Sequence, residues 1–271
     1  MLRRFFSVVA LILLASAAQA DRSDDIDRLI EALDISGLVE VMQHEGEDFA
    51  EDIADQMLGG GDTMWQANVA RLYDAAAMVS VVRKALDDGL SDQDLATTLV
   101  FFEGDAGRRI VGLETSARRA MLDIAVEEGA RASFTDIEGS DDPRLALLEE
   151  FVAANDLIEA NVAGGLSSNY MFYRGLIDGG GLEAEDKDIL ADVWGQEEEI
   201  RADTREWIFA FSLLAYQPLT DAELRSYVTL STTLAGKALN RALFDGFDRM
   251  YADIAYGLGL AAAQAMGGQD L

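Results

Sequence analysis

The chain has no cysteine, one histidine and two prolines among its 271 residues. Without cysteine there can be no disulfide framework, no zinc finger and no thiol nucleophile. A single histidine excludes every metal site that needs two or more imidazole ligands. We therefore expect no cofactor and no defined metal site, with diffuse binding of calcium or magnesium to the clustered acids left open, and no catalytic residue can be assigned from these residue types.

Positive charge is also scarce. Lysine and arginine together number 21 against 50 acidic residues, which gives a formal net charge of −29. Because affinity for nucleic-acid phosphates comes from basic side chains that release counterions, this balance argues against a nucleic-acid partner. A strongly negative protein instead attracts basic partners. Hydrophobic residues nevertheless make up 50% of the chain, which is too high a fraction for a disordered protein.

The first twenty residues have the three parts of a secretory signal peptide. Arg3 and Arg4 precede an apolar run over residues 5–18, and a small-residue pattern ends at Ala20, before Asp21. The alternative is an uncleaved membrane anchor, which needs roughly 20 apolar residues, more than this run provides. We predict cleavage near Ala20 and a periplasmic location in a bacterium.

Cleavage would make the mature chain more acidic still. Residues 1–20 contain two arginines and no acid, so the net charge would fall from −29 to −31. No later apolar run reaches the length of a membrane-spanning helix. We therefore expect a soluble mature protein with no transmembrane segment.

The periodicity of the remaining chain is that of α-helices. Apolar residues recur at spacings of three and four, and no sustained alternation of period two is present. Ser91 with Asp94 and Thr220 with Glu223 have the spacing of capping boxes, which begin helices. The fold class is therefore predicted to be all-α. The predicted helices cover residues 23–34, 36–57, 63–88, 91–103, 105–131, 143–154, 156–177, 184–192, 195–216, 220–232 and 234–266.

Two halves of the chain resemble each other. At a shift of 129, the chain aligns with itself without a gap from residue 65 to residue 121. At a shift of 120, the triple glycine 59–61 meets 179–181, and at 119 the first two helices of each half coincide. The pairs matched by the shift of 129 include Trp65 with Trp194, Ser91 with Thr220, Gly107 with Gly236, and Arg108 with Lys237.

These matches predict an internal duplication. The two units, 21–135 and 136–271, would have about five helices each and would follow the signal peptide 1–20. We place the boundary in the stretch 132–142, which is rich in Ser, Asp and Gly and has no helical stripe. Each unit is long enough for a core of its own, although the two could also pack as one structural domain.

One string in each half resembles a known family. The first reads L-S-D-Q-D-L at 90–95 and F-F-E-G-D-A-G-R-R at 101–109, and the second reads L-T-D-A-E-L at 219–224 and T-T-L-A-G-K at 232–237. Together they resemble exported proteobacterial proteins of the domain of unknown function 2059 family. The first copy has Gly-Asp where that family usually has Ser-Pro, and the second lacks the aromatic pair. The resemblance covers about forty residues per half.

The resemblance implies an exported all-α protein with no assigned activity. In physical terms the string is a short capped helix, a tight turn and a second helix. The motif residues Ser91, Gly107, Arg108, Thr220, Gly236 and Lys237 would accordingly have structural roles. Gly107 and Gly236 fall in the first turn of the second helix, where a missing side chain lets another backbone approach closely.

Motifs that carry chemistry are incomplete in this chain. His44-Glu45 opens like a zinc-protease motif, but position 48 is Asp and there is no second histidine, so a solvated side chain is the better interpretation. The loop from Asp136 lacks the glycine and the terminal glutamate of a calcium-binding loop. The arginine pairs 108–109 and 118–119 favour ion pairs within the chain over an anion site.

Two functions from different classes are consistent with these observations. The first is a non-enzymatic envelope protein that binds a basic protein partner or a hydrophobic ligand, as a monomer or a homodimer. Its binding groove between the halves would be lined by Trp65, Tyr73, Phe101, Phe102 and Trp194, although most of these rings are expected to be core. The second is a periplasmic hydrolase that uses a pair of carboxylates, but nothing in the sequence selects the pair.

Overall fold

The computed structural model describes residues 21–269, so the predicted signal peptide lies outside the described residues. Within that range the chain forms helices and no β-strand, which confirms the all-α prediction. Helix α1 covers residues 21–32. The others are α2 (Ile35–Ile53, continued by a π-helical turn Ala54–Leu58), α3 (Thr63–Leu72), α4 (Ala75–Gly89), α5 (Asp92–Phe102), α6 (Asp105–Ala120), α7 (Ile124–Ile137), α8 (Pro143–Ala154), α9 (Leu157–Asp178), α10 (Asp186–Gly195), α11 (Glu197–Tyr216), α12 (Asp221–Thr232) and α13 (Leu234–Gln269).

Aspartate caps divide two helices that the sequence pattern joins. The predicted helix 63–88 breaks before Asp74, whose carboxylate accepts a hydrogen bond from the N–H of Ala77 and begins α4. The predicted helix 105–131 breaks before Asp123, which caps α7 through the N–H of Ala125. Both predictions were wrong for the same reason: a capping carboxylate satisfies free N–H groups and starts a new helix without any change in the apolar periodicity.

The predicted boundary stretch 132–142 is also partly helical. Helix α7 continues to Ile137 because Phe134 is buried and its ring stacks on that of Phe209, with 5.0 Å between the centroids. The connecting segment is therefore 138–142. It ends at Asp142, which caps α8, with Pro143 as the first helical residue, as predicted.

Both large hydrophobic cores draw residues from both halves of the chain. One core joins Val82 and Leu86 of α4 to Ile254 and Leu258 of α13. The other surrounds Phe134 of α7 with residues of α8, α11 and α12. The long helices thus cross over: α13 packs on α3, α4 and α5 as well as on α9, while α6 and α7 pack on α11.

Two corners, between α5 and α6 and between α12 and α13, have the predicted construction. Ser91 and Thr220 both form complete capping boxes, with Asp94 and Glu223 respectively. A Cβ atom on Gly107 would overlap the carbonyl oxygen of Phe101, and one on Gly236 would overlap that of Leu230. The close approach of two backbones expected at both glycines is confirmed.

A search of the helices between residues 21 and 269 finds none that combines the length and the apolar composition needed to cross a membrane.

Candidate functional site

Four adjoining cavities lie between α2 and α6 of the first half and the helices of the second half. We call them together the interhelical cleft. The central cavity has a volume of about 440 Å³ and shares Met42 and Tyr251 with a neighbour of about 200 Å³. It shares Leu38 and Phe247 with a third cavity of about 140 Å³. The third and a fourth, of about 230 Å³, both contact Glu114.

Glu114 is the most perturbed acid in the cleft. It lies on α6, on the same face as the buried Ile110 and Ala117. The hydroxyl of Tyr216 donates a 2.5 Å hydrogen bond to its carboxylate. Burial raises the pKa of Glu114 to about 7, and hydrogen bonds from the hydroxyls of Tyr216 and Tyr227 limit the rise. Near neutral pH this group can therefore hold or release a proton.

The two tyrosines that face Glu114 remain donors. Burial first, and then the nearby charge of Glu114, raise the pKa of Tyr216 and of Tyr227 well above 10. Tyr216 is buried, and its ring packs edge-on against both Phe151 and Tyr227. The aromatic packing thus fixes the direction of the hydroxyl that reaches Glu114.

One turn further along α6, Arg118 forms an ion pair inside the cleft. Its guanidinium donates two hydrogen bonds, of 2.8 and 2.7 Å, to the two carboxylate oxygens of Glu45 on α2. It also lies 4.7 Å from the ring centroid of Trp207. Burial alone would lower the pKa of Arg118, but the hydrogen bonds and charge of Glu45 outweigh it, so the pKa is raised. The positive charge of Arg118 is therefore compensated within the protein by the carboxylate of Glu45.

Asp248 on α13 lines the central cavity and, unlike Glu45, is not paired with any arginine that the structure describes. Its Oδ1 lies against Gly164, where a Cβ atom would come within 2.6 Å. Phe244, Phe247 and Tyr251 line the same cavity. Desolvation, and then repulsion from Asp245, raise the pKa of Asp248. Among the described residues no lysine or arginine pairs with it.

Two asparagines place amide groups on the walls nearest Glu114. The Asn155 side chain donates from Nδ2 to the carbonyl of Phe151 and to the hydroxyl of Ser231. The Asn240 side chain donates to the backbone carbonyl of Asn155, at 2.7 Å. Asn155 is only 7% exposed, yet no group in the described part of the chain donates to its Oδ1. Every fully buried side-chain oxygen among the described residues has a hydrogen-bond partner. Because the Oδ1 of Asn155 has none, it is not fully buried, and it is an acceptor that can be reached from the cavity.

Only some of the rings proposed for a groove meet in the cleft: Tyr73 and Phe102 line two of its cavities, whereas the two tryptophans lie outside it. Trp65 is buried at a separate cavity of about 410 Å³ beside the π-helical turn. Tyr73 lines the 200 Å³ cavity and Phe102 the 140 Å³ cavity. Phe101 stacks on Tyr227 with 5.8 Å between centroids. Trp194 is 55% exposed on the surface.

The remaining candidates behave as ordinary surface groups. His44 is exposed, and its Nδ1 lies 2.8 Å from the carbonyl oxygen of Glu40. Arg108 is exposed and pairs with Asp105, and Lys237 is exposed on α13. The four arginines of the two pairs all contact acids of the same chain, which confirms internal pairing. Arg118 alone differs from the expectation, because its pair lies in the cleft.

Sequence reasoning missed Glu114 and Asp248, and it expected Arg118 in a surface ion pair and not in the cleft. The available signal was an ionisable residue inside an apolar stripe: Glu114 falls between Ile110 and Ala117, where a solvated acid would be out of register. In the part of the chain that the structure describes, no group of three or more acidic or histidine side chains could hold a metal ion. Comparison of the chain with family models, with curated proteins and with solved structures gives no match.

Proposed function

We propose that this protein is exported and binds a small ligand in the interhelical cleft, without transforming it. The observation that carries the proposal is the cleft itself, a set of adjoining cavities with aromatic walls, buried polar groups and contributions from both halves. Ligand sites in proteins typically combine such apolar walls with a few polar groups. Membership of the domain of unknown function 2059 family, a basic protein partner and a homodimer remain predictions.

A cavity-filling variant tests ligand binding. Ser168 on α9 lines both the 440 Å³ and the 200 Å³ cavities, whereas its neighbour Ser167 is exposed. Ser168→Phe should abolish the fluorescence enhancement of the apolar, uncharged probe N-phenyl-1-naphthylamine. The matched control Ser167→Phe should preserve it. Equal probe binding by both variants would show that the cleft is not where apolar molecules bind.

Export is tested by the mass of the mature chain. When the full sequence is expressed in a bacterium, the envelope fraction should contain a protein that starts at Asp21. Ala20→Arg should slow processing, because small side chains are required beside the cleavage site. A chain that keeps residues 1–20 and stays with the cytoplasmic fraction would contradict this part of the proposal.

The duplication is supported by corresponding backbone features. Both corner glycines and both capping boxes recur at the shift of 129. Asp34 and Asp156, each just before the second helix of its half, have left-handed backbones with φ of 47° and 52°. Asp34 and Asp156 are 122 positions apart, slightly more than the shift of 119 predicted for the first helices.

A second candidate function is hydrolysis by a pair of carboxylates. The observation that favours it is the pKa of Glu114, which suits a general acid near neutral pH. Asp248 would be the second carboxylate. However, Glu114 and Asp248 line different cavities rather than opposite walls of one, so binding is the better-supported function. Turnover of any ester or glycoside that is lost in Glu114→Gln would reverse this order.

A further inference from the structure

We propose that the cleft binds an aliphatic amine with two or more ammonium groups, one at Asp248 and one at Glu114. This inference rests on the proposed ligand-binding function and names the chemical class of the ligand. It requires a negative group at each end, an apolar passage between them and no free positive charge along the way.

Asp248 supplies the first end. An acid on the surface of so acidic a protein needs no explanation when it is unpaired, because water solvates it. Asp248 instead lies against Gly164 on a cavity lined by Phe244, Phe247 and Tyr251. An ammonium ion would neutralise this carboxylate and could also face the aromatic rings, which attract cations. No other described side chain does this for Asp248.

Glu114 supplies the second end. The hydroxyls of Tyr216 and Tyr227 donate to its carboxylate, whose two oxygens still have lone pairs for a further donor. The free Oδ1 of Asn155 belongs to a residue that lines the same two cavities. An ammonium group has three N–H donors and no acceptor, so a carboxylate and an amide oxygen together match it. A ligand without a hydrogen-bond donor would leave the Oδ1 of Asn155 without a partner.

The passage between the ends suits methylene groups. Leu38 and Phe247 line both the central cavity of Asp248 and a cavity of Glu114, so the two sites share an apolar wall. The positive group nearby, Arg118, is held by both carboxylate oxygens of Glu45 and by the ring of Trp207. Its charge is therefore compensated. The net charge of −29 also raises the local concentration of cations around the protein.

Calorimetric titration of the full mature chain tests the inference. The probes are 1,5-diaminopentane and spermidine, with pentylamine and uncharged 1,5-pentanediol for comparison, at about 150 mM salt to screen diffuse attraction. We expect one saturable diamine site. Asp248→Asn should weaken diamine binding by about tenfold or more. The matched control Asp245→Asn, an exposed acid one turn earlier on α13, should change it less than about twofold.

A second variant tests the two-ended arrangement. Glu114→Gln should weaken 1,5-diaminopentane by about fivefold or more and leave pentylamine, which needs only Asp248, nearly unchanged. Equal effects of Asp248→Asn and Asp245→Asn would overturn the proposal, because binding would then be diffuse. Equal effects of Glu114→Gln on diamine and monoamine would overturn it as well.

Failure of this inference can be distinguished from failure of the proposed function. If N-phenyl-1-naphthylamine or the diol binds and Ser168→Phe removes that binding, while neither the diamine, spermidine nor pentylamine binds, the cleft is a ligand site of another class. If no probe binds, the proposed function itself fails.

Discussion

The corner between α5 and α6 and the corner between α12 and α13 have the same backbone construction, but different side chains pack beneath them. Under the first corner lie the rings of Phe101 and Phe102, which contact each other and Tyr227. Under the second lie Leu230 and Ser231, and the hydroxyl of Ser231 accepts a hydrogen bond from Asn155 beside the cleft. The glycine and the capping box set the geometry of a corner, and the residues below it can therefore be apolar in one place and polar in the other.

The helices that follow the two corners, α6 and α13, also differ in the polarity of corresponding residues. At the shift of 129, Glu114 and Arg118 of α6 correspond to Leu243 and Phe247 of α13. The charged groups of the cleft thus fall where the halves differ, and the folding features fall where they agree. Equivalent substitutions at the two corners should therefore change the free energy of unfolding by similar amounts. Substitutions of the charged cleft residues should have no equivalent in the other half.

The largest expected effect is at the corner glycines. Gly107→Ala and Gly236→Ala should each destabilise the protein by about 3 kcal/mol, because the new methyl group meets backbone atoms that cannot rotate away. Urea unfolding measures both. Unequal costs, with one variant near wild type, would break the equivalence of the corners.

The titration of Glu114 should have no counterpart in the other half. Because its pKa is raised from 4.5 to about 7, the unfolded chain loses this proton at a lower pH than the folded protein does. The carboxyl group therefore destabilises the fold increasingly as pH rises from about 4.5 to about 7, and not below that range.

Glu114→Gln removes this dependence. Relative to wild type, the variant should gain about 2.5 kcal/mol of unfolding free energy between pH 5 and pH 8. Urea unfolding at both pH values provides the measurement. Parallel stability curves for the two proteins would mean that Glu114 is ionised in the fold throughout.

The capping boxes should show a smaller and matched effect. Ser91→Ala and Thr220→Ala each remove a hydroxyl that accepts a hydrogen bond from a free backbone N–H, so each should cost about 1 kcal/mol. Thermal unfolding compares them. A loss of stability in only one of the two variants would show that the other corner is held by other contacts.

The smallest effect should have the opposite sign. Gly112 lies on the exposed face of α6, with no atom near the position of a Cβ. Gly112→Ala should therefore stabilise the protein by up to about 1 kcal/mol through helix propensity alone. It also serves as the control for the corner glycine on the same helix, and a loss of stability here would undermine the steric explanation of its cost.

Local rules predicted much of this fold from the sequence. The capping boxes, the corner glycines and the helical periodicity depend on residues that are close together in the chain, so the pattern contains the whole interaction. The breaks before Asp74 and Asp123 were missed because an aspartate inside a helical pattern reads as either a cap or a solvated side chain. Only the packing of the following helix decides between the two.

The cleft depends on contacts that sequence periodicity does not carry. The hydroxyl that bonds to Glu114 comes from Tyr216, 102 residues away, and the partner of Arg118 is 73 residues away. The first contact exists because α6 packs on α11 of the second half. The second exists because α6 packs on α2 within the first half. Of the aromatic residues predicted to line a groove, Trp65 and Trp194 lie outside the cleft, because the helices of the two halves pack between one another and do not stack as two separate units.

The length and place of α13 affect how the chain can fold as it is made. The helix spans 36 residues at the C-terminal end and completes the core around Leu86 and Val82, which are synthesised long before it. The packing of α13 on α4 therefore forms only after α13 has been synthesised. In an exported chain, as proposed above, this part of the core would thus close late, after α13 has been made.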